Sequence, residues 1–473
     1  MATENFQAPK GTRDFYPEDM AVRRYIEDIW RRVSVRHGFQ EVDGPTFESL
    51  DLYKVKSGEE IVSQLFSFTD RGGRDLALRP EFTPTLARMV AQRGAGLPRP
   101  IKWFSIARCY RAEQPQKGRL REFMQWNVDY IGDTSDRAER ECLALCVDAL
   151  REFGLDDADF HVGWNHREWL NRLLTSTFVS PDRLGAAYYI LDRLHKYDRK
   201  ALYSEQKCSD GEREWFDFIA DTKNQSLAEL TDLLIQKKSS GGAPERSQTA
   251  ALSSEIYSTV REFEKRLKDN GLGAMCRFDL SIVRGLAYYT GFVFEVSDRQ
   301  GENRAIAGGG RYDNLIKMFG GPSLGAVGFG MGDVVLEILL RQRNKLPGAI
   351  LDNHRNPDVF IVNALEDTTC AESLIFQLRR SQWDAARARI EHPGLYAACS
   401  YRSTRNIGKL LQEAAASGAK LAVILAPAEF QQGLAKLKNL AERTEREIPL
   451  ASLVAEIRQR CPAGPALSRP PSG

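Results

Sequence analysis

The stretch from residue 108 to residue 121 is rich in the residue types that bind phosphate. It sets five cations against a single acid, Glu113, and they are Arg108, Arg111, Lys117, Arg119 and Arg121. Pro115 and Gly118 interrupt the stretch, which favours a turn or loop. Guanidinium groups form paired, charge-assisted hydrogen bonds to phosphate oxygens. The composition therefore predicts a phosphate-binding loop, with an ordinary charged loop as the alternative.

Alternating runs on either side of this loop predict an antiparallel pair of strands, residues 102–111 and 123–131. Along the second run, apolar side chains share one face, while Gln125, Asn127 and Asp129 share the other with Phe123. A sheet with one solvated face gives the same pattern. An alternative interpretation is that the polar face is the floor of a small-molecule site. The neighbouring cationic loop favours this alternative.

Two further segments carry groups that could enter such a site. Arg284, Tyr288 and Tyr289 lie in a turn between two strand-like runs. A guanidinium could bind phosphate and phenol hydroxyls could bind a polar ring, although an ordinary hairpin end is the alternative. The three glycines of AGGGRYD, residues 307–313, would let a ligand or a neighbouring strand approach the backbone. A Gly-rich strand then leads into a helix that Asp333 could cap, at an end that favours anions.

The elements that would position these groups follow from hydrophobic periodicity. Apolar residues recur every three or four positions over 22–33 and again over 136–153, which predicts two amphipathic helices. Asp136 and Glu139 predict a capping box at the start of the second helix. These helices flank the predicted strand pair in sequence, so they are expected to pack against it.

Changes in composition divide the chain into blocks. Residues 1–345 form the first block, and residues 175–255 within it are mostly helical in pattern, which suggests an insertion. Residues 356–460 alternate short apolar runs with helical stretches, which predicts a small α/β domain with a mainly parallel sheet. The proline-rich residues 461–473 are expected to be disordered.

Composition excludes several classes of protein. The 473 residues carry a net charge of only +2, which argues against a strongly basic nucleic-acid coat. We find no run of 18 apolar residues and no signal or transit peptide, so we expect no membrane partner. The eight cysteines are scattered without a C-x-x-C pair, which favours the reducing cytoplasm. The sequence has no P-loop, no G-x-G-x-x-G fingerprint and no zinc-ligand spacing.

Five motifs, in this order, resemble those of histidyl-tRNA synthetases, which are class II aminoacyl-tRNA synthetases. They are KGTRDFYPED (10–19), LRPEFTP (78–84), RCYRAEQPQKGRLREFMQWNVD (108–129), VRGLAYYTG (283–291) and AGGGRYD (307–313). The resemblance spans nearly the whole chain. It implies an α+β fold: a catalytic domain with an antiparallel sheet flanked by helices, a helical insertion, and a C-terminal α/β anticodon-binding domain.

The resemblance also implies a reaction and its site. Histidine and ATP, with Mg²⁺, would give histidyl-adenylate and pyrophosphate, and a cytoplasmic homodimer would pass the histidyl group to tRNA(His). The implied catalytic cations are Arg111 and Arg284. The implied ATP contacts are Arg111, Glu113, Arg119, Phe123 and Arg311. The implied histidine contacts are Glu81, Thr83, Gln125, Asp129, Tyr288 and Tyr289. No residue is nominated as a metal ligand.

Two positions depart from the family pattern. Val335 stands where motif 3 of class II enzymes has an arginine for the γ-phosphate, and Ala287 stands where the RGLDYY form has aspartate. Our hypothesis is that Arg119 and a metal ion replace the missing arginine, the alternative being lost activity.

Two segments hold residues that could contact tRNA. The resemblance points to Gln114 and Gln116 for the acceptor end. Arg402, Arg405 and Lys409 are spaced i, i+3 and i+7, which predicts one helix face that could bind the anticodon arm. A solvated charged face is the alternative.

Two other functions remain open at this point. A paralogue without synthetase activity, such as the regulatory subunit of ATP phosphoribosyltransferase, shares this catalytic fold but normally lacks the anticodon domain. A simple RNA-binding module would not need Glu81, Gln125 and Asp129.

Overall fold

The computed structural model describes residues 6–54, 64–94, 96–194, 197–222, 227–240, 255–284, 288–348, 356–384 and 389–461. The chain divides into two compact units, Met1–Leu351 and Asp352–Gly473. The tail predicted to be disordered lies, beyond Cys461, outside the described residues, and so does Ala287.

The first unit combines strands and helices. Its strands are β1 (Gln40–Glu41), β2 (Phe47–Ser49), β3 (Ser67–Thr69), β4 (Asp75–Leu78), β5 (Ile101–Tyr110), β6 (Glu122–Ile131), β7 (Phe160–His166), β8 (Cys276–Phe278), β9 (Phe292–Asp298), β10 (Ala307–Arg311) and β11 (Ala326–Gly332). Its helices are α1 (Pro17–Arg36), α2 (Thr83–Arg93), α3 (Arg137–Glu152), α4 (Arg167–Thr177), α5 (Leu184–Arg193), α6 (Arg199–Glu205), α7 (Asp210–Asp221), α8 (Leu227–Ser240), α9 (Glu255–Asp269), α10 (Leu315–Met318) and α11 (Asp333–Gln342).

Eight of these strands form one sheet in the order β1-β5-β6-β11-β10-β9-β7-β8. Neighbouring strands are antiparallel except for β1 with β5 and β7 with β8. Helices pack on this sheet, so the predicted α+β fold is confirmed. The predicted insertion holds helices α5 to α8, whereas its limits stay a prediction because part of 175–255 is not described.

The predicted strand pair is β5 and β6, which are paired along their whole length from Ile101↔Ile131 to Tyr110↔Glu122. Their apolar face lies against α1, where the Trp126 ring stacks on Trp30 with centroids 5.8 Å apart. The indole N–H of Trp126 donates to Ser34 Oγ at 3.0 Å. Because this face packs on the helices, the polar face of β6 must point away from them.

Helix α3 matches the predicted helix, but the predicted capping box at its start is wrong. The Asp136 side chain accepts hydrogen bonds from the side chains of Arg266, at 2.8 and 2.9 Å, and Arg140, at 3.3 Å, but does not accept one from a backbone N–H in the first turn of α3. Glu139 is buried instead of reaching back to the helix start. A buried cationic partner on β10 engages its carboxylate, as described below.

The second unit has a five-stranded sheet and a separate hairpin. Its strands are β12 (Val359–Asn363), β13 (Gln382–Asp384), β14 (Arg389–His392), β15 (Ala397–Cys399), β16 (Leu421–Leu425), β17 (Leu434–Asn439) and β18 (Thr444–Pro449). Its helices are α12 (Thr369–Arg379), α13 (Ile407–Ala416), α14 (Pro427–Gln431) and α15 (Leu453–Arg460).

The sheet of the second unit runs in the order β15-β12-β16-β17-β18, and the hairpin pairs β13 with β14. Strands β15, β12 and β16 are parallel, but β17 and β18 join them antiparallel, so the prediction of a mainly parallel sheet is wrong for this half. A short turn joins β17 to β18, which only antiparallel neighbours allow.

Candidate active site

The polar face of β6 lies beside a row of glycines. Asp129, Asn127 and Gln125 face Gly328, Gly330 and Gly332 of β11, and the first two of these glycines face Gly310 and Gly308 of β10. Directly paired residues point to the same side of a sheet. We call these five glycines the glycine trough, because they leave the backbone of the sheet open to a ligand.

The glycines also make room for the polar side chains of β6. A Cβ at Gly330 would lie 2.8 Å from Gln125 Nε2, and one at Gly328 would overlap the Asp129 carboxylate. Both polar side chains therefore lean over β11 into the trough. The glycines at these positions are required by close packing, because a Cβ would collide with a neighbouring side chain.

A buried carboxylate and a tyrosine form one end of the trough. The Tyr312 hydroxyl donates a short hydrogen bond to Asp129 Oδ1, and both residues are 1% exposed. Burial, followed by the charge of Asp129, raises the pKa of Tyr312 well above its usual value, so the phenol stays protonated. This end of the trough can thus accept and donate hydrogen bonds to a polar ring.

The two tyrosines predicted to line the histidine pocket lie beside that pair. The Tyr288 ring is 4.7 Å from Tyr289 and meets Tyr312 edge-on at 5.8 Å. Burial raises the pKa of Tyr288 and Tyr289, and the negative charge of nearby Glu81 contributes to both shifts. Glu81 itself is 9% exposed. The structure therefore brings a second carboxylate close to the same aromatic pocket.

Thr83 and Gln125 are held by different elements. Thr83 begins α2 and is 7% exposed. Gln125 Oε1 lies 3.7 Å from Cys109 Sγ of the neighbouring strand β5. Gln125 lies on the trough side of the sheet, whereas Thr83 is a buried residue at the start of α2.

Arg111 and Phe123 lie together where the 108–121 loop leaves β5 and returns to β6. The Arg111 guanidinium is 5.0 Å from the centre of the Phe123 ring. Its Nε donates to the Pro80 carbonyl at 3.2 Å, and its backbone N–H donates to Arg121 O at 2.9 Å. A cation and a half-buried aromatic ring thus lie together at one end of β6, and Asp129 lies near the other end.

The tip of the loop is a tight turn. Gln116 and Arg119 exchange backbone hydrogen bonds at 3.0 and 2.9 Å, and Gly118 between them has a φ of +76°. Arg119 pairs with Glu113 within the loop. Arg108 is already engaged by Glu122 at 2.6 Å, so the loop's cations are not equivalent.

Arg304, from the connection between β9 and β10, also reaches this turn. Its Nη2 donates a short hydrogen bond to Gln116 Oε1. A Cβ at Gly118 would lie 3.2 Å from Val335 Cγ2 and 3.9 Å from Arg304 Cδ. Val335 is thus close to the tip of the loop, and Arg304 and Arg119 lie next to the same turn.

Asp333 does not cap α11 as predicted. Gly332 is the cap residue, and the Asp333 carboxylate accepts from the Met124 N–H at 3.0 Å and pairs with Arg13 at 2.6 Å. Burial raises the pKa of Asp333, an effect that Arg13 opposes. Its role is to join α11 to β6 and to the chain before α1.

Arg284 enters the trough from the segment that follows β8. Its Nη1 lies 2.7 Å from Glu295 Oε2 on β9, and its φ is +50°. A Cβ at Gly308 would overlap the guanidinium, so the group lies directly on the β10 backbone. Of the two predicted catalytic arginines, Arg284 therefore lies on the trough, whereas Arg111 lies beside Phe123 at one end of β6.

Arg311 points to the opposite side of the sheet. Side chains alternate along a strand, and Gly308 and Gly310 take the trough side. The Arg311 Nε and Nη2 donate to Glu139 of α3 at 2.6 and 2.7 Å, and Nη2 also donates to Ser135 O at 2.9 Å. The ATP contact predicted for Arg311 stays a prediction, and the structure gives this guanidinium other partners.

A family model of histidyl-tRNA synthetases matches residues 11–333, and a model of anticodon-binding domains matches residues 375–460. The chain belongs to the histidyl-tRNA synthetase family. It is 39% identical to the histidine–tRNA ligase of Opitutus terrae over 97% of this chain and 99% of that one. It is 34% identical to the chloroplastic/mitochondrial histidine–tRNA ligase of Arabidopsis thaliana, over 94% of this chain and 85% of that one.

A solved structure agrees with this assignment at the level of the fold. The apo histidyl-tRNA synthetase of S. aureus matches with a TM-score of 0.67 and 24% identity, covering 96% of this chain and 100% of that one. The match of the family model includes the 108–121 loop and β6 described above.

In the anticodon-binding unit, the predicted helix face of cations is wrong. Helix α13 begins at Ile407, and the Asn406 side chain caps it by accepting from the Lys409 N–H at 3.0 Å. Arg402 and Arg405 precede the helix, because the Asn406 cap breaks the helical spacing. Arg405 pairs with Glu366 at 2.6 Å and both arginines are exposed.

A cavity of about 830 Å³ lies beside Arg402, whose Nε is 3.8 Å from Glu413 Oε2 in the cavity wall. Tyr396, Tyr401 and Glu413 are among the residues that line it, and Tyr401 is 97% exposed. The predicted acceptor-end residues Gln114 and Gln116 are exposed in the first unit, on the 108–121 loop.

Neither a metal cluster nor a membrane span was found in the part of the chain that the structure describes. It contains no group of three or more His, Cys, Asp or Glu side chains that could hold a metal ion. None of its helices is long and apolar enough to cross a membrane.

Sequence reasoning missed three residues of this site: Tyr312, Glu295 and Arg304. Tyr312 was visible within AGGGRYD, next to the nominated Arg311, and strand alternation alone would have favoured the tyrosine over the arginine. Glu295 lies in the apolar run FVFEV, where a lone acid on a strand is a signal of pairing. We find no sequence signal for Arg304.

Proposed function

We propose that this chain is a histidine–tRNA ligase, which forms histidyl-adenylate and pyrophosphate and then transfers the histidyl group to the 3′ end of tRNA(His). The observation that carries the proposal is one strand, β6, with the Arg111 and Phe123 pair at one end and the Asp129 and Tyr312 pair at the other. Successive residues on one face of a strand are about 7 Å apart. The face of β6 from Phe123 to Asp129 is therefore long enough to hold a nucleotide joined to an amino acid.

In the first step, a carboxylate oxygen of histidine attacks the α-phosphorus of ATP. The new oxygen–phosphorus bond forms as the bond to the pyrophosphate breaks, and charge builds up on the α-phosphate oxygens. Arg111 and Arg284 would stabilise that charge from two sides of the trough. Phe123 would stack on the adenine, which its position beside Arg111 supports.

Histidine itself would be recognised at the other end. Asp129 and Glu81 are acceptors for the N–H groups of the ammonium and the imidazole, and the protonated phenols of Tyr288, Tyr289 and Tyr312 offer complementary hydrogen bonds. A site built this way rejects apolar amino acids, because they would leave buried polar groups without partners.

In the second step, a hydroxyl of the terminal ribose of tRNA attacks the activated carbonyl, and AMP leaves. We propose that Gln114 and Gln116 contact the acceptor end, since both are exposed on the loop that borders the trough. We propose that Arg402 and Arg405 contact the anticodon arm. Exposed guanidiniums of this kind bind phosphates with a strong dependence on salt.

The family resemblance also implies Mg²⁺. The donor set does not fit a protein-held ion among the described residues, because the single acid of the 108–121 loop, Glu113, is paired with Arg119. Arg119 and Arg304 are the cations next to Val335, and we propose that Arg119 takes over part of the missing arginine's role.

We also propose a cytoplasmic homodimer. All eight cysteines are free, which supports a reducing compartment. The homodimer rests on the family resemblance, and sedimentation equilibrium of the purified protein tests it.

The decisive experiment is histidine-dependent exchange of pyrophosphate into ATP, followed by charging of tRNA(His). We expect exchange with histidine and none without an amino acid or with phenylalanine. Exchange without charging would separate the two steps. No exchange by the pure, folded protein would instead favour the ATP phosphoribosyltransferase regulatory reading, which the match to an anticodon-binding domain at residues 375–460 disfavours.

A further inference from the structure

Arg284 is held in a backbone conformation that residues with a side chain rarely adopt. Its φ of +50° lies in the left-handed region. Such residues persist where the surrounding structure fixes them, and they concentrate at functional sites. The contacts that fix Arg284 therefore bear directly on the chemistry assigned to it.

Residues 280–282, which precede Arg284, are held in place by side-chain and backbone contacts with strand β7. The buried Asn165 side chain donates to the carbonyls of Leu280 and Ile282, each at 3.2 Å. Gly163 of the same strand lets Ile282 come close, since a Cβ there would lie 3.0 Å from Ile282 Cγ1. These contacts hold the segment against β7, so that the Arg284 side chain lies on the trough.

The guanidinium is fixed separately, by a cross-strand pair of β9 and β10. Glu295 and Gly308 are directly opposite each other. Glu295 Oε2 accepts from Arg284 Nη1 at 2.7 Å, while Gly308 offers a flat patch of backbone beneath the guanidinium. Both side chains of the ion pair are 23% exposed, so part of the guanidinium stays open to the trough.

We propose that Glu295 is a positioning residue for the catalytic Arg284, with Gly308 as the surface on which the guanidinium rests. A guanidinium has five N–H donors in a fixed plane. When Glu295 binds one edge, the remaining donors keep one orientation toward the α-phosphate. This inference rests on the proposed function, because it assumes that Arg284 stabilises charge on that phosphate.

The test is a double-mutant cycle in the histidine-dependent exchange assay. Glu295→Gln keeps the shape but removes the charge, and misplacing Arg284 should lower kcat on the order of 10- to 100-fold. We expect the KM values for ATP and histidine to change by no more than about twofold. In an Arg284→Ala background, itself strongly slowed, Glu295→Gln should cause no further loss, because its effect passes through Arg284.

Gly308→Ala is a second route to the same effect, since its Cβ would displace the guanidinium without changing Glu295. It should lower kcat similarly and also be silent beside Arg284→Ala, which keeps the test valid if Glu295→Gln does not fold. Gly185→Ala is its control, because nothing lies within 4 Å of a Cβ there. Glu27→Gln is the control for charge, because Glu27 pairs with Arg23 at the same 2.7 Å with 19% and 16% exposure.

The outcomes distinguish the positioning role of Glu295 from the proposed ligase function. A near-normal kcat in both folded Glu295→Gln and Gly308→Ala overturns the positioning role but leaves the ligase function intact. An equal kcat loss in the Arg284→Ala background overturns it as well, since the effect would not pass through Arg284. No exchange by the wild-type protein overturns the proposed function and this inference together.

Discussion

We predict that the buried ion pair between Arg311 and Glu139 stabilises the fold of the first unit. The two side chains are only 10% and 7% exposed, and two hydrogen bonds of 2.6 and 2.7 Å join them. The pair connects β10 to α3, two elements that are far apart in the sequence. Arg311→Ala removes the cation and leaves a carboxylate in the interior.

The expected loss of stability follows from that geometry. Breaking one side of a buried, hydrogen-bonded ion pair costs about 3–5 kcal/mol, because the remaining charge is neither solvated nor compensated. Arg23→Ala breaks a pair of similar length at 16% and 19% exposure near the surface of α1. That control should cost about 1 kcal/mol or less.

The loss should also depend on pH. Burial raises the pKa of Glu139, and Arg311 opposes that shift. In Arg311→Ala the pKa should therefore rise further, so the folded protein binds a proton more readily than the unfolded chain. The deficit should be smallest below the unfolded pKa of about 4.3 and should grow as pH rises through the folded value.

Urea unfolding followed by tryptophan fluorescence measures this effect. Six of the seven tryptophans lie in the first unit, and Trp126 and Trp164 are buried there, so the signal reports that unit. A deficit under 1 kcal/mol at pH 8, or one that shrinks as pH rises, would refute the reasoning. The same variant tests the ATP contact predicted for Arg311, since a raised KM for ATP in folded protein would support that role.

Three other results are expected. Arg119→Ala should raise the KM for ATP about tenfold if this guanidinium replaces the motif 3 arginine, and an unchanged KM and kcat in the exchange assay would end that hypothesis. Tyr312→Phe leaves Asp129 without its hydroxyl partner and should raise the KM for histidine about tenfold, with little change for ATP; equal effects on both substrates would contradict its place at the histidine end. A hydrogen bond to Glu141 raises the pKa of His37, so the stabilisation should be complete below about pH 6.5 and be lost as pH rises through the folded value. His37→Gln should therefore differ from wild type in urea unfolding at pH 6 but not at pH 9.

Local sequence pattern predicted much of the first unit. The alternation of β6 placed Gln125, Asn127 and Asp129 on one face, and in the structure these three residues pair with the glycines of β11, on the side of the sheet opposite to α1. The helical periods predicted α1 and α3 within a few residues. These elements could be predicted from local sequence, because the apolar residues that repeat periodically are the residues that each element buries.

The errors and omissions came from contacts that local pattern does not encode. Asp129 and Tyr312 are 183 positions apart, and only the sheet order brings them together. The capping box failed because a long-range partner, Arg311, binds Glu139 more strongly than the helix start could. In the second unit, the Asn406 cap separated Arg402 and Arg405 from the helix on which their spacing had placed them.

The alternation of side chains along β10 links the glycine trough to the Arg311–Glu139 ion pair. Gly308 and Gly310 can lie under a ligand only if Arg311, one residue further, points to the other side of the sheet. A shift of the register by one residue would bring Arg311 into the trough and turn the glycines toward α3. Its bond to Glu139 opposes that shift, since slipping would leave a buried carboxylate without its cation. The ion pair therefore stabilises the strand register on which the glycine trough depends.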